Sequence, residues 1–225
     1  MALAGDGAIL IWNDITDAGR DEFYAWHVAE HIPERVAIPG FLSGRRFVAT
    51  DGATEPEFFT LYETDTEAVL TSAPYLARLN APTDWTRRAT AAFRNTQRAL
   101  TGVVARCGAG NGGVIVTMRL RLTDPLEAGR SMPGLVDALG ALPLVTGAAY
   151  CRTDGAASAG RTVESATRTD IETPPDHALL IEACTPEAAR AAADRAAELL
   201  APLLAERALT GIYRLEFALH NRSQA

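Results

Sequence analysis

The same order of strand and helix signals runs through this 225-residue chain twice. Short sequence matches run with it. Arg98-Ala99-Leu100-Thr101-Gly102 recurs from Arg207 to Gly211, each time just ahead of a final strand. Gly44, Phe47, Thr50, Asp51 and Gly52 are matched in spacing by Gly147, Tyr150, Thr153, Asp154 and Gly155. Glu67-Ala68 is matched by Glu187-Ala188 at the start of each second helix. Any one match is chance; three in the same order indicate an internal duplication. Each copy has the length of a domain and is too long for a solenoid repeat. The chain therefore divides into 1–108 and 109–225, the junction falling in the glycine-rich segment from Cys107 to Gly113.

In the first copy the expected order is a strand over Ala8 to Ile15, a helix from about Glu22 capped by Asp21 and stopped or kinked at Pro33, a short second turn over Glu34 to Ile38, then strands over Phe41 to Thr50 and Glu57 to Thr64. A helix in pieces follows between Thr66 and Asn95, interrupted at Pro74 and Pro82, and then a strand over Leu100 to Arg106. The second copy repeats this with strands at Val114 to Leu122, Leu144 to Arg152, Ala178 to Cys184 and Gly211 to Leu219. Its helices are expected around Gly134 to Leu139 and from Thr185 to about Arg207. The polar stretch from Gly155 to Asp176 reads as an exposed insertion. Strand–helix–strand–strand–helix–strand is the ferredoxin-like arrangement, with helices on one face of a four-stranded antiparallel sheet. The expected fold is therefore α+β: two ferredoxin-like βαββαβ repeats whose antiparallel sheets pack face to face.

Composition narrows the function. All 21 basic residues are arginine, so lysine Schiff bases, lysine-bound pyridoxal phosphate and a P-loop are excluded. No GxGxxG opens a helix after a strand. A net charge of −7 removes the counterion-release term that drives nucleic-acid binding. No apolar run approaches the ~20 residues needed to span a bilayer, and the N-terminus lacks a basic signal region. Cys107, Cys151 and Cys184 form no CxxC pair and read as free thiols. These features lead to the expectation of a cytoplasmic protein, with no nucleic-acid or membrane partner.

Chemistry-bearing residues concentrate between Glu22 and Phe47, EFYAWHVAEHIPERVAIPGFLSGRRF. On a helix, His27, Glu30 and His31 share one side with Phe23. Two readings stay open: a polar cavity lined by imidazoles and a carboxylate, or a surface helix with a local His–Glu hydrogen bond. Arg45 and Arg46 are neighbours on a strand and must point to opposite faces, so one of them could enter the space between the sheets and hold an anion. Trp12, Tyr24, Trp26 and Tyr62 could line an aromatic pocket or simply pack the core. The HxxEH spacing of His27, Glu30 and His31 also matches two zinc ligands and a catalytic glutamate, but zinc needs a third ligand. His177 and His220 read as solvated. The second copy lacks the equivalent groups: by the sequence matches Arg45-Arg46 face Ala148-Ala149, and Tyr62 faces Glu182.

The run Phe23-x-x-Trp26-His27-x-x-Glu30-His31-x-Pro33-Glu34-Arg35, followed by Pro39-Gly40-Phe41 and Arg45-Arg46-Phe47, resembles EthD-like members of the dimeric α+β barrel superfamily. The resemblance implies that the two repeats make an intrachain version of that barrel, either monomeric as a pseudo-dimer or paired as a homodimer. It does not imply a reaction, because such proteins include cyclases, decarboxylases, monooxygenases, isomerases and haem proteins. The expectation is a cofactor-independent acid–base enzyme acting on a small aromatic or polyketide-like molecule. His27 or His31 would move a proton, Glu30 would orient the imidazole, and Arg45 would stabilise negative charge. Tyr24, Trp26, Arg46, Tyr62 and Trp12 would contact the substrate. No metal or other cofactor is expected. The alternatives are a non-catalytic small-molecule-binding protein and a haem- or metal-binding barrel.

Overall fold

Strand pairing closes the sheet on itself. The computed structural model describes residues 3–167 and 170–221. In the first half β1 (Gly7–Ile15), β2 (Phe41–Ala49), β3 (Phe58–Thr64) and β4 (Phe93–Gly108) lie in the order β4-β1-β3-β2. In the second, β5 (Val114–Leu120), β6 (Val145–Thr153), β8 (His177–Ala183) and β9 (Leu209–His220) lie in the order β9-β5-β8-β6. The halves join at both edges, antiparallel, through β2–β9 and β4–β6. The result is a closed eight-stranded antiparallel barrel, which leaves neither half a free sheet edge to manage. A two-residue β7 (Ile171–Glu172) adds to β4 in parallel.

The helices cover the outside. In the first half these are α1 (Arg20–Trp26), a π-helical turn at His27–His31, α2 (Ile32–Val36), α3 (Ala73–Leu79) and α4 (Asp84–Thr90). In the second they are α5 (Pro125–Gly140), the short α6 (Gly155–Ser158) and α7 (Pro186–Leu200). Among the described residues no helix is long and apolar enough to cross a membrane.

The space between the two sheets is filled. Ala8, Leu10, Trp12, Phe47, Phe59, Leu61, Ala99, Ile115, Ala149, Cys151, Ala178, Leu180 and Tyr213 pack there as one buried cluster. Strand alternation explains the set, since every second residue of each strand points inward. The polar ends of its two largest aromatic members find partners. Trp12 Nε1 donates to Thr117 Oγ1 at 2.9 Å, and the Tyr213 hydroxyl donates to the Pro56 carbonyl at 3.0 Å.

Several expectations need correction. The helix does not stop at Pro33. It runs on through α2, and the π turn immediately before Pro33 widens the coil where the proline ring would meet a preceding carbonyl. Its N-cap is Gly19, with Asp21 in the first turn. The expected short helix in the second half is the 16-residue α5, which tolerates Pro133. β4 begins at Phe93, ahead of the expected Leu100. The insertion from Gly155 is not simply exposed: it straps the first half. Leu100 N donates to Ser158 Oγ, Glu164 N donates to the Leu79 carbonyl, and buried Glu164 pairs with buried Arg35.

The sequence matches also differ from the structural register. β1 and β5 pair their first residues, Gly7 and Val114, with the last residues of β3 and β8, Thr64 and Ala183. Glu63 therefore matches Glu182, and Tyr62 matches Ile181. Arg45 and Arg46 match Ala149 and Tyr150, since these pairs lie opposite Leu61 and Thr60 in one half and Leu180 and Leu179 in the other. The alignment on Gly44 and Gly147 is one residue out, which in a strand exchanges the two faces.

Candidate active site

Phe23, Trp26, His27 and His31 project from the α1–π–α2 segment onto the outer face of the first-half sheet. Trp26 is fully buried, and its Nε1 donates to Thr86 Oγ1 at 3.2 Å. The two imidazoles are stacked 5.4 Å apart at 28° and are only 3% and 4% exposed. His27 also stacks on Phe23 at 4.9 Å, and His31 lies 4.2 Å from Trp26 and 6.3 Å from Tyr62. The cluster of imidazoles thus sits between helix and sheet, not between the two sheets. Its position on a π turn is of the kind that recurs at functional sites.

Glu30 does not need an imidazole as its partner. Its Oε1 accepts from Thr83 Oγ1 at 2.6 Å and from Thr86 Oγ1 at 3.2 Å, which ties the π turn to the N-terminus of α4. Thr83 is the cap of α4. Glu30 is thus placed to fix the backbone that carries the histidines.

The two arginines separate as adjacent strand residues must. Arg45 points into the barrel, where Glu182 Oε1 and Oε2 accept from it at 3.0 and 2.9 Å and Glu63 Oε1 accepts at 3.0 Å. Its anions are the chain's own, so Arg45 does not serve the histidine site as expected. Trp12 is likewise enclosed in the barrel core and does not join the site.

Arg46 points outward, toward the helical segment. Its guanidinium lies 4.5 Å from the Tyr24 ring and 5.7 Å from the Phe23 ring, and Nε donates to Glu216 Oε2 at 3.3 Å. The side chain is 4% exposed, and Nη1 is buried with no hydrogen-bond partner. Burial pulls its pKa below the ordinary arginine value, with Glu216 opposing. Arg46 and His27 both lie against the Phe23 ring, so guanidinium, phenol and imidazoles form one aromatic-walled cluster of Tyr24, Trp26, His27, His31, Arg46 and Tyr62.

His177 is not solvated. It begins β8, is buried, and its Nδ1 lies 2.9 Å from the Tyr150 hydroxyl. Its partner, a tyrosine on β6, leaves no local signal in the sequence.

Among the described residues no group of three His, Cys, Asp or Glu side chains is arranged to hold a metal. Both rings pack against neighbouring aromatic rings and are closed from solvent, so a macrocycle, like any other molecule, reaches them only when the helical segment moves.

No protein-family model matches the chain, and no curated protein matches it in sequence. Solved structures do match it, over nearly its whole length. An anthrone oxidase-like protein superposes with a TM-score of 0.59 at 8% identity, covering 97% of this chain and 94% of that one. A candidate monooxygenase from Lactobacillus acidophilus NCFM gives 0.57 at 7%, covering 96% and 97%. A mutant chlorite dismutase from Candidatus Nitrospira defluvii, in complex with cyanide, gives 0.51 at 9%, covering 94% and 90%. At such identities the likeness is one of fold: two ferredoxin-like halves in a single polypeptide close an α+β barrel of the kind these structures share.

Proposed function

We propose that this chain is a cofactor-independent acid–base enzyme acting on a small aromatic or polyketide-like molecule, with the His27–His31 pair as its proton-transfer centre. The observation that supports this most is the stacked imidazole pair on a π turn, enclosed by aromatic walls and flanked by a buried guanidinium. The walls suit a flat ring. Imidazole accepts and returns protons near neutral pH. One imidazole takes a proton from carbon beside a substrate carbonyl, the C–H electron pair becomes the carbon–carbon double bond, and the carbonyl π pair moves onto oxygen to give an enolate. Arg46, with Nη1 free of protein acceptors, meets that negative charge. The imidazolium so formed returns the proton to another carbon, which gives isomerisation, or to a departing hydroxyl, which leaves as water and gives dehydration. Glu30 holds the turn through Thr83 and Thr86. Substrate entry requires the segment carrying half-buried Tyr24 and exposed Val28 to move outward.

The test is deuterium exchange at the α-carbon of aryl ketones in D2O, followed by proton NMR, because exchange reports proton abstraction whatever step comes after it. His27→Ala and His31→Ala should each slow exchange, and the double variant should abolish it while circular dichroism stays unchanged. Full exchange by a folded double variant rejects the proposal.

A further inference from the structure

The second half carries a furnished site of its own. In the structural register His177 stands where Phe58 stands in the first half, and Tyr150 stands where Arg46 stands. The location that holds Arg46 against Phe23 and Tyr24 in one half thus holds a phenol–imidazole pair in the other. The rings of Tyr150 and His177 are nearly parallel, 15° apart, with centroids at 5.5 Å. Beside them lies a depression of about 430 Å³, lined among others by Pro125, Arg152, Pro174, Pro175, Asp176 and His177, with the Asp176 carboxylate held by Arg121 at 2.9 Å. The Arg46 location in the first half is closed over by Tyr24 and Phe23; Tyr150 and His177 are buried too, but His177 borders the depression.

We propose that this depression is a second small-molecule site, for an aromatic carboxylate, with Arg152 and the His177 imidazole as its donors and the proline rings as its apolar wall. Arg152 is exposed at the end of β6 and carries the charge. Tyr150 fixes the imidazole. When its hydroxyl donates to Nδ1, the ring proton resides on Nε2, the nitrogen on the far side of the ring from Tyr150. Both groups stay neutral near pH 7: burial pushes the Tyr150 hydroxyl up to about 12 and the His177 imidazole down. A neutral Nε2–H and a guanidinium are two donors suited to one carboxylate, and a charge-assisted pair of this kind is the stronger sort of hydrogen bond. Flat proline rings accept a flat ring face.

The probe is benzoate, titrated into the full-length protein while the His177 ring resonances are followed by NMR. The expected result is a saturable shift that Arg152→Gln weakens about tenfold or more, the size of a lost charge-assisted bond. Benzamide, of the same shape without the charge, should give no saturable shift; this comparison uses the unaltered protein and does not depend on how a variant folds. The His27→Ala/His31→Ala variant should give the unaltered benzoate curve, so failure of the reaction proposed at the first site leaves this test standing. No saturable shift with millimolar benzoate, an equal response to benzamide, or an unchanged curve in folded Arg152→Gln overturns the proposal.

Discussion

Glu63 and Glu182 occupy matching positions in the two halves and grip the same guanidinium, that of Arg45. The residue matching Arg45 in the second half is Ala149, so one cation serves two symmetric anions inside the barrel. Ser43 Oγ and Ala4 N donate to Glu63, and Gly112 N donates to Glu182. These bonds hold two carboxylates within reach of one arginine at near-zero exposure.

Removing Arg45 should therefore be costly. Arg45→Met leaves two buried carboxylates without their cation, a change expected to lose about 3–5 kcal/mol in urea unfolding. Burial already raises the pKa of Glu182, with Arg45 opposing. Without Arg45 the Glu182 value rises further above the unfolded one, so the folded protein binds more protons. Its stability then falls as pH rises, and the deficit should be smaller at pH 5 than at pH 8. A deficit below about 1 kcal/mol, or one that is independent of pH, would show that the network relaxes into water.

This triad marks where the sequence is legible and where it is not. Strand alternation by itself puts Arg45 and Arg46 on opposite faces, and element order by itself indicates the barrel. The acceptors of Arg45 lie on β3 and on β8, and no local pattern links Arg45 to Glu182. Register is the hardest part to read: the bulges of β2 and β6 fall at matching places, Phe41/Ser43 and Val145/Gly147, and cancel, so the slip comes from matching Gly44 to Gly147 when the strand pairing sets Gly44 against Ala148, and one residue exchanges the faces. That slip conceals the correspondence of Tyr150 with Arg46 and makes the second half look unfurnished. His177 looks solvated for a related reason: its burial depends on Tyr150, a contact made across the β6–β8 pairing. The histidine motif itself is visible, but its π turn is not, since helical periodicity cannot distinguish a wide turn from a regular one.

The strap across the first half should depend on one buried ion pair. Arg35 and Glu164 are 3% and 7% exposed at their side chains, whereas Arg195 and Glu198 on α7 are 51% and 67% exposed. Glu164→Ala leaves a buried guanidinium without this carboxylate and is expected to lose about 3–5 kcal/mol, or to free the strap locally at lower cost. Glu198→Ala should change stability by under about 1 kcal/mol. Limited proteolysis checks the first expectation. Cleavage between Gly155 and Asp176 should accelerate in Glu164→Ala and not in Glu198→Ala, and equal cleavage rates would mean that the backbone bonds at Leu79 and Leu100 hold the strap alone.

Acid should act on the Tyr150–His177 pair in a definite direction. His177 is held below the ordinary histidine value of 6.5, first by burial and then by Arg152, with Asp176 opposing. Tyr150 faces it from β6, and Arg121 ties Asp176 at 2.9 Å. Because the folded pKa is depressed, the unfolded chain binds the proton more readily. The contribution of His177 to stability is therefore fully present above the unfolded value of about 6.5 and is lost as pH falls from there through the folded value. His177→Gln keeps a side chain able to hydrogen-bond Tyr150 but does not titrate. Thermal unfolding of both proteins from pH 8 to pH 5 should give curves that diverge below about pH 6.5, with the unaltered protein falling more steeply. The difference between the two profiles isolates this residue from His27, His31 and His220. Parallel profiles would mean that the imidazole is already open to water in the folded chain, and would remove the neutral Nε2–H donor on which the second site depends.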